Sequence, residues 1–151
     1  MLKTTAVAFR PATEADAAEL LRWRNDPITR YFRPRANIVT MEEHLAWLKR
    51  RQASPSKVYI FERDNIPMGN ITLDVEDGRC EIGWIVAPEH RRKGVASDMA
   101  RMALLNVPEG HEPWAKMRRD NIASQKVAEA IGMRRIRRDG DMVIYGRPLG
   151  I

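Results

Sequence analysis

The sequence predicts a single α/β domain, with a mixed, mostly antiparallel sheet flanked by about four helices. Three observations carry that reading. Strand-like and helix-like runs follow one another in the order β-α-α-β-β-β-α-β-α-β-β. Three consecutive runs in the middle are joined by the turn pairs Asp64-Asn65 and Asp77-Gly78, as in an antiparallel meander. A length of 151 residues, 44% of them hydrophobic and 30% charged, fits one soluble domain with a real core.

Taken in order, residues 4–10 alternate loosely and stop at Pro11, which predicts a first strand. Thr13 is a good N-cap, with Glu14 and Asp16 in the first turn of a helix that runs to about Asn25. That helix is expected to face inward through Ala17, Leu20 and Leu21, and Pro27 disfavours helical geometry at Asp26. Residues 28–37 read as a short helical turn or loop. Thr40-Met41-Glu42-Glu43 is a capping box, opening a helix to about Gln52 that should bury Met41, Leu45 and Leu48. The meander strands are Val58 to Phe61, Met68 to Val75 and Cys80 to Val86. After them, Val95, Met99, Met102 and Leu105 recur at helical spacing, and Ala96, Ala100 and Ala103 allow close approach to the sheet. A strand from Pro113 to Met117 leads to a last helix, headed by Asn121 and ended by Gly132. A final hairpin, 133–137 and 142–145, turns at Asp139-Gly140.

The chemistry gathers around His90-Arg91-Arg92-Lys93-Gly94-Val95-Ala96-Ser97. A strand ends just before it and a helix begins within it. The N–H groups of a helix start lack intrahelical partners and carry the positive end of the helix dipole, so they form an anion site. Gly94 and Ala96 leave that backbone uncovered, and Arg91, Arg92 and Lys93 add charge. A basic turn of this kind also reads as a solvated loop.

A second block supports the first reading. Arg91-x-x-Gly94-x-Ala96 after Val86-Ala87-Pro88 resembles the acetyl-CoA pyrophosphate loop of the GNAT N-acetyltransferase superfamily. Asn121-Ile122-Ala123-Ser124, followed by Gly132-Met133, is similar to that family's Asn-x-x-Ser helix ending in Gly-Phe. The resemblance implies acetyl-CoA as cosubstrate, held by Arg91, Arg92, Lys93, Gly94, Val95, Ala96 and Ser97. It also implies that the backbone near Ile85 and Val86 pairs with the pantetheine arm, beside a strand bulge that opens a V-shaped gap. One freed N–H there would polarise the acetyl oxygen. Asn121 would touch the arm, besides serving as an N-cap, and Ser124 would face the thioester sulfur.

One departure stands out. Many family members place a tyrosine four residues after that serine to protonate the leaving thiolate, and this chain has Ala128. Ser124 is then the candidate acid, with Tyr145 arriving from elsewhere as the alternative. Glu81 is the candidate base, on the same strand face as Gly83 and Ile85. A surface ion pair with an arginine is the plainer reading of that residue. His44 is its rival as base.

The segment between the first and second strands roofs the acceptor site in the family. Its Trp-Arg-Asn and Glu-His-Leu blocks look similar to those of amino-sugar N-acetyltransferases. In that reading Trp23 stacks on a sugar or base, Arg24 and Arg30 hold phosphate, and His44 lies with them. The plainer reading makes Trp23 a core aromatic. Acetylation of a ribosomal or other protein N-terminus is the runner-up, and a non-catalytic CoA-binding domain the third reading. The expected partner is a small-molecule amine, anionic in character, and many members of the family form homodimers.

A net charge of +6 suits either nucleic acid or a polyanionic small molecule. The tightest basic cluster, Arg134-Arg135-Ile136-Arg137-Arg138, has no aromatic interleaving for base stacking, which disfavours nucleic acid. One cysteine, Cys80, excludes an internal disulfide, and three scattered histidines give no metal-ligand spacing. No apolar run approaches a membrane span, and the N-terminus lacks a leader pattern. A cytoplasmic location is expected.

Overall fold

The computed structural model describes residues 6–33 and 37–147. A seven-stranded sheet forms the spine. Its strands are β1 (Val7–Pro11), β2 (Lys57–Arg63), β3 (Ile66–Glu76), β4 (Arg79–Val86), β5 (Glu112–Arg118), β6 (Arg134–Asp139) and β7 (Met142–Gly146). They lie in the order β1-β2-β3-β4-β5-β7-β6. Every neighbouring pair is antiparallel except β4–β5. Residues 4 and 5 of the expected first strand, and 34–36 of the expected loop, lie outside the described residues.

The turns follow their sequence chemistry. Asp64 and Asn65 both take positive φ between β2 and β3, and so do Asp77 and Gly78 between β3 and β4. These are residue types that tolerate the left-handed region. The last hairpin turns one residue later than expected, at Gly140-Asp141, because Asp139 already pairs with Met142.

Five α-helices are present among the described residues: α1 (Ala17–Arg24), α2 (Pro27–Tyr31), α3 (Met41–Gln52), α4 (Val95–Leu105) and α5 (Ile122–Ala130). The helix beyond the expected four is α2, a single turn with Pro27 at its start and the Asp26 side chain capping the amides of Ile28 and Thr29. A one-turn 3-10 helix, Glu14–Asp16, precedes α1 and carries the Thr13–Asp16 capping box. The Thr40–Glu43 box opens α3 as its sequence requires.

Helices cover both faces of the sheet. On one face α4 and α5 close a core that includes Phe61, Ile71, Cys80, Ile82, Met99, Met117, Val143 and Tyr145. On the other, α1 and α3 close a second core of Leu20, Trp23, Leu48, Val58 and Ile60. Three inward faces differ from expectation. Helix α1 buries Trp23 completely, while Leu21 is only half-buried. Helix α3 buries His44 and Leu48, leaving Met41 exposed and Leu45 half-buried. In α4 the buried set is Val95, Met99, Ala100 and Ala103, with Met102 half-buried and Leu105 81% exposed. That helix is rotated so that its alanines meet the sheet, which allows close packing and turns the last leucine to solvent.

Candidate active site

The site starts from a failure of strand pairing. The parallel pair β4–β5 holds only from Arg79↔Glu112 to Glu81↔Trp114. Beyond that point β4 stays with β3 as far as Gly69↔Val86, and β5 stays with β7 as far as Arg118↔Met142. The two strands therefore splay, and among the described residues no strand covers that edge of β4 from Ile82 to Val86. Ile85 and Val86 lie along the open edge. The expected bulge in β4 is not the cause. Its register with β3 is unbroken, and the register shifts lie in β2–β3 and β6–β7. The gap comes from divergence of the one parallel pair, the weaker kind per residue.

Gly69 sets the far edge of β4. A Cβ there would meet the Ile85 carbonyl oxygen at 2.3 Å and the Met99 sulfur at 2.9 Å. Only glycine lets β3, β4 and α4 approach this closely where the gap opens. A lone glycine inside a strand-like run was the available signal for it.

At the mouth of the gap lies the basic turn. A short 3-10 helix, Pro88–His90, leads to Arg91 in extended geometry, and Gly94 stands before α4. Arg92 has φ 63° and Gly94 φ 73°. Left-handed residues in alternation turn successive amides toward one point, as in an anion nest. Among the described residues, the amides of residues 92–97 make no turn or cap hydrogen bond, and Arg92, Lys93 and Gly94 are exposed. Gly94 is needed for its φ; a Cβ would meet nothing within 4 Å. The left-handed Arg92 gave no signal in the sequence.

Arg91 has a partner of its own. Its guanidinium donates to Asp26 at 2.6 Å and to Thr29 at 3.2 Å, both on the segment that forms α2. From the same helix the Tyr31 hydroxyl donates to Asp120 at 2.7 Å, just before α5. Because β4 and β5 are parallel, the turn and the head of α5 sit at the same end of the gap. Helix α2 is tied to both.

Glu81 sits where the strands part, half-buried beside Trp114 of β5 and opposite Asp74 of β3. Among the described residues it makes no ion pair, so the surface-pair reading finds no support there. Burial pushes its carboxyl above the usual range, Asp74 pushes the same way, and Lys116, Arg51 and Arg79 oppose it.

Across the gap, the Asn121 side chain accepts from the Ser124 amide at 3.1 Å, a true N-cap, and its amide nitrogen has no partner among the described residues. Ser124 is half-buried, and its hydroxyl has no partner among the described residues. Ala128 is wholly buried in the same core cluster as Tyr145. The Tyr145 hydroxyl donates to Gln125 at 3.4 Å, and burial raises its pKa.

The roof residues divide. Trp23 is 0% exposed and offers no stacking face; it is a core aromatic. His44 is 1% exposed, and burial, then Arg24, lowers its pKa. Arg30 is half-buried on α2, with its Nε unpartnered. Arg24 lies over the Trp47 ring at 4.9 Å. Arg24 and His44 line a small cavity with Leu20, Arg33, Asn70 and Ile85. Arg33 and Asn70 were not singled out by sequence, since a lone arginine and a strand asparagine carry no spacing signal.

The family model for the acetyltransferase (GNAT) domain matches residues 7–134. The chain belongs to the GNAT acetyltransferase family. No curated protein matches it in sequence. Among solved structures it is similar to a ribosomal-protein-alanine N-acetyltransferase from Brucella melitensis, at 20% identity and TM-score 0.82, over 94% of this chain and 99% of that one. It is also similar to yncA of Salmonella typhimurium, a protein solved with acetyl-CoA, at 18% identity and TM-score 0.78, over 96% and 95% of the two chains. Identities this low speak for the fold alone. Acetyl-CoA is the family's cosubstrate, and the unpartnered amides of 92–97 fit its pyrophosphate. This GNAT chain has no helix among its described residues long and apolar enough to cross a membrane.

Proposed function

We propose that this acetyltransferase moves the acetyl group of acetyl-CoA directly to a primary amine, with Glu81 as base and Ser124 as the proton donor for the leaving sulfur. One observation carries the reading: the splay of β4 from β5 begins at Glu81 and opens toward the unpartnered amides of 92–97. Acetyl-CoA supplies an activated thioester; this chain's residues hold it and move protons. The turn at 91–97 takes the pyrophosphate, and each amide bonded to a charged oxygen adds roughly 1.5–3 kcal/mol. The open edge at Ile85 and Val86 takes the amide-bearing arm, and the spare nitrogen of Asn121 reaches it from the other side. As the amine nitrogen bonds to the acetyl carbon, its proton passes to Glu81. As the carbon–sulfur bond breaks, the Ser124 hydroxyl passes its proton to the sulfur while taking one from solvent, so that the serine ends unchanged.

A carboxyl with a raised pKa suits this work near neutral pH. His44 is the poorer base, because its ring lies against the roof of the sheet and away from solvent. With Trp23 in the core, the amino-sugar reading keeps Arg24 and Arg30 but loses its stacking face. Acetylation of a protein N-terminus stays the alternative, and the Brucella neighbour is consistent with it.

The test is thiol release from acetyl-CoA with amino sugars, amino acids and N-terminal peptides, in wild type and Glu81→Gln. Glu81→Gln should lower kcat about 10²–10⁴-fold, with little change in CoA affinity. In wild type, kcat/KM should rise with pH through the raised Glu81 pKa, and the variant should lose that rise. Ionising a carboxylate whose folded pKa is raised lowers stability, so Gln at 81 should not unfold the protein. Wild-type turnover in the variant would remove Glu81 from the mechanism. A chain that binds CoA but releases no thiol with any of these amines would be a binding domain.

A further inference from the structure

The cavity between α1, α3 and the β3–β4 pair is lined by polar atoms that have no partner. Arg24 Nη1, both ring nitrogens of His44 and Asn70 Oδ1 are buried and unbonded among the described residues. His44 is 1% and Asn70 4% exposed. Buried polar groups are nearly always bonded, so an orphaned set facing one space calls for an occupant.

The charge there has one sign. Arg24 and Arg33 line the cavity, and Arg51 stands behind Trp47. Arg51 is paired with Asp74, whereas Arg24 and Arg33 form no ion pair among the described residues. Glu43 attracts Arg24 from a distance, but its carboxylate is bonded to the Thr40 cap. Burial and the neighbouring guanidiniums pull the Arg33 pKa down to about 10. A buried cation without a counter-ion is costly, and an anionic ligand would remove that cost.

The space is small. At about 20 Å³ it admits one oxygen atom, with Arg24 and Arg33 half-buried around it. Two guanidiniums can donate to one carboxylate oxygen between them, with the second oxygen left toward the half-exposed arginine side. Asn70 can turn its amide so that Nδ2 rather than Oδ1 faces that oxygen. Asn70 pairs with Ile85, and Ile85 lines both this cavity and the open edge of β4.

We propose that this cavity takes one oxygen of the acceptor's carboxylate, so that the acceptor is a small amine bearing a carboxylate. This rests on the acetyl-transfer reading above and narrows its substrate class.

Two measurements on the full chain test it. The first needs no catalysis: the His44 ring resonances are followed by NMR while sodium acetate replaces sodium chloride at constant ionic strength. Acetate should give a saturable shift in wild type, weakened about tenfold or more in Arg24→Gln and in Arg33→Gln. A drift identical in acetate and chloride would mean that a single water fills the cavity. A saturable shift untouched by both substitutions would mean that the anion binds elsewhere. Either result overturns the proposal. The second is thiol release with amino acids and their carboxamides. The carboxamides should show KM raised about tenfold or more, and Arg33→Gln should abolish the difference. Equal turnover of carboxamides, amino sugars or peptides would overturn the carboxylate and leave acetyl transfer standing. Acetate binding without thiol release from any amine would overturn both.

Discussion

Substitution at Gly94 separates backbone conformation from space in the turn proposed to hold CoA. Gly94 holds φ 73°, and a Cβ there would meet no atom within 4 Å. A side chain therefore fails only through the left-handed backbone, which costs an ordinary L-residue roughly 1–2 kcal/mol. Asparagine tolerates that region better than alanine, and a β-branched residue tolerates it worst. The cost divides between folding and binding. If the variant turn keeps its shape, melting falls by about 2–4 °C per kcal/mol. If it relaxes, CoA must restore the shape, and affinity falls by about five- to thirtyfold. Titration calorimetry with CoA, beside thermal melts, should rank the residues Gly, Asn, Ala, Val. Asparagine is larger than alanine, so the two orders differ. Alanine binding better than asparagine would mean that bulk against the ligand governs the turn. Valine that both melts and binds CoA as glycine does would refute the left-handed cost on which this ranking rests.

Two other changes test how the gap and its roof are held. Gly69→Ala drives a Cβ into the Ile85 carbonyl, whereas at Gly83 a Cβ meets only the Thr72 hydroxyl at 2.6 Å, which can rotate away. Urea denaturation should show a loss of about 1–3 kcal/mol for Gly69→Ala and less for Gly83→Ala; equal losses would remove the special closeness of β3 and β4 at Val86. Asp16 accepts two bonds from Arg10, each 2.8 Å, and one from the Thr13 amide. The Arg10 bond, against burial, holds its carboxyl below the ordinary 3.8. A lowered carboxyl stabilises the fold above its unfolded pKa and loses that contribution as pH falls through the folded one. Asp16→Asn should therefore cost about 1–2 kcal/mol at neutral pH, and the gap from wild type should close in acid. A gap independent of pH would show that the ion pair is not its source.

The parts of the fold that were legible in the sequence are those fixed by local chemistry. Thr40 and Glu43 bond each other across one turn, and Asp64, Asn65, Asp77 and Gly78 accept positive φ, whatever lies around them. Helix faces were less legible, because burial depends on what a helix meets. Periodicity in α4 rightly brought Ala100 and Ala103 to the sheet but overweighted Met102 and Leu105. Helix α3 turns His44 inward, where it lines the cavity. The candidate site was legible where a motif is contiguous, as at 91–97. It was hidden where residues far apart in sequence converge. Arg24, Arg33, His44 and Asn70 come from α1, the segment after α2, α3 and β3, and only the packed sheet puts them together. Trp23 misled because an aromatic beside an arginine looks the same in sequence whether it faces a ligand or a core.

The net charge of +6 means little until it is located. Arg10, Arg22, Arg51, Arg63, Arg91 and Arg118 each have a carboxylate partner. Arginines on β6 lie along a fully exposed edge strand, where charge discourages pairing with another sheet. Arg92 and Lys93 stand at the turn, and Arg24 and Arg33 at the cavity. The two sets flank α2, which Arg91 ties to the turn and Tyr31 ties to the head of α5. A groove for nucleic acid would need its cations in a continuous track along a backbone. Two separate clusters, one at exposed amides and one in a buried recess, instead suit two small anionic groups held apart, with the open edge of β4 between them.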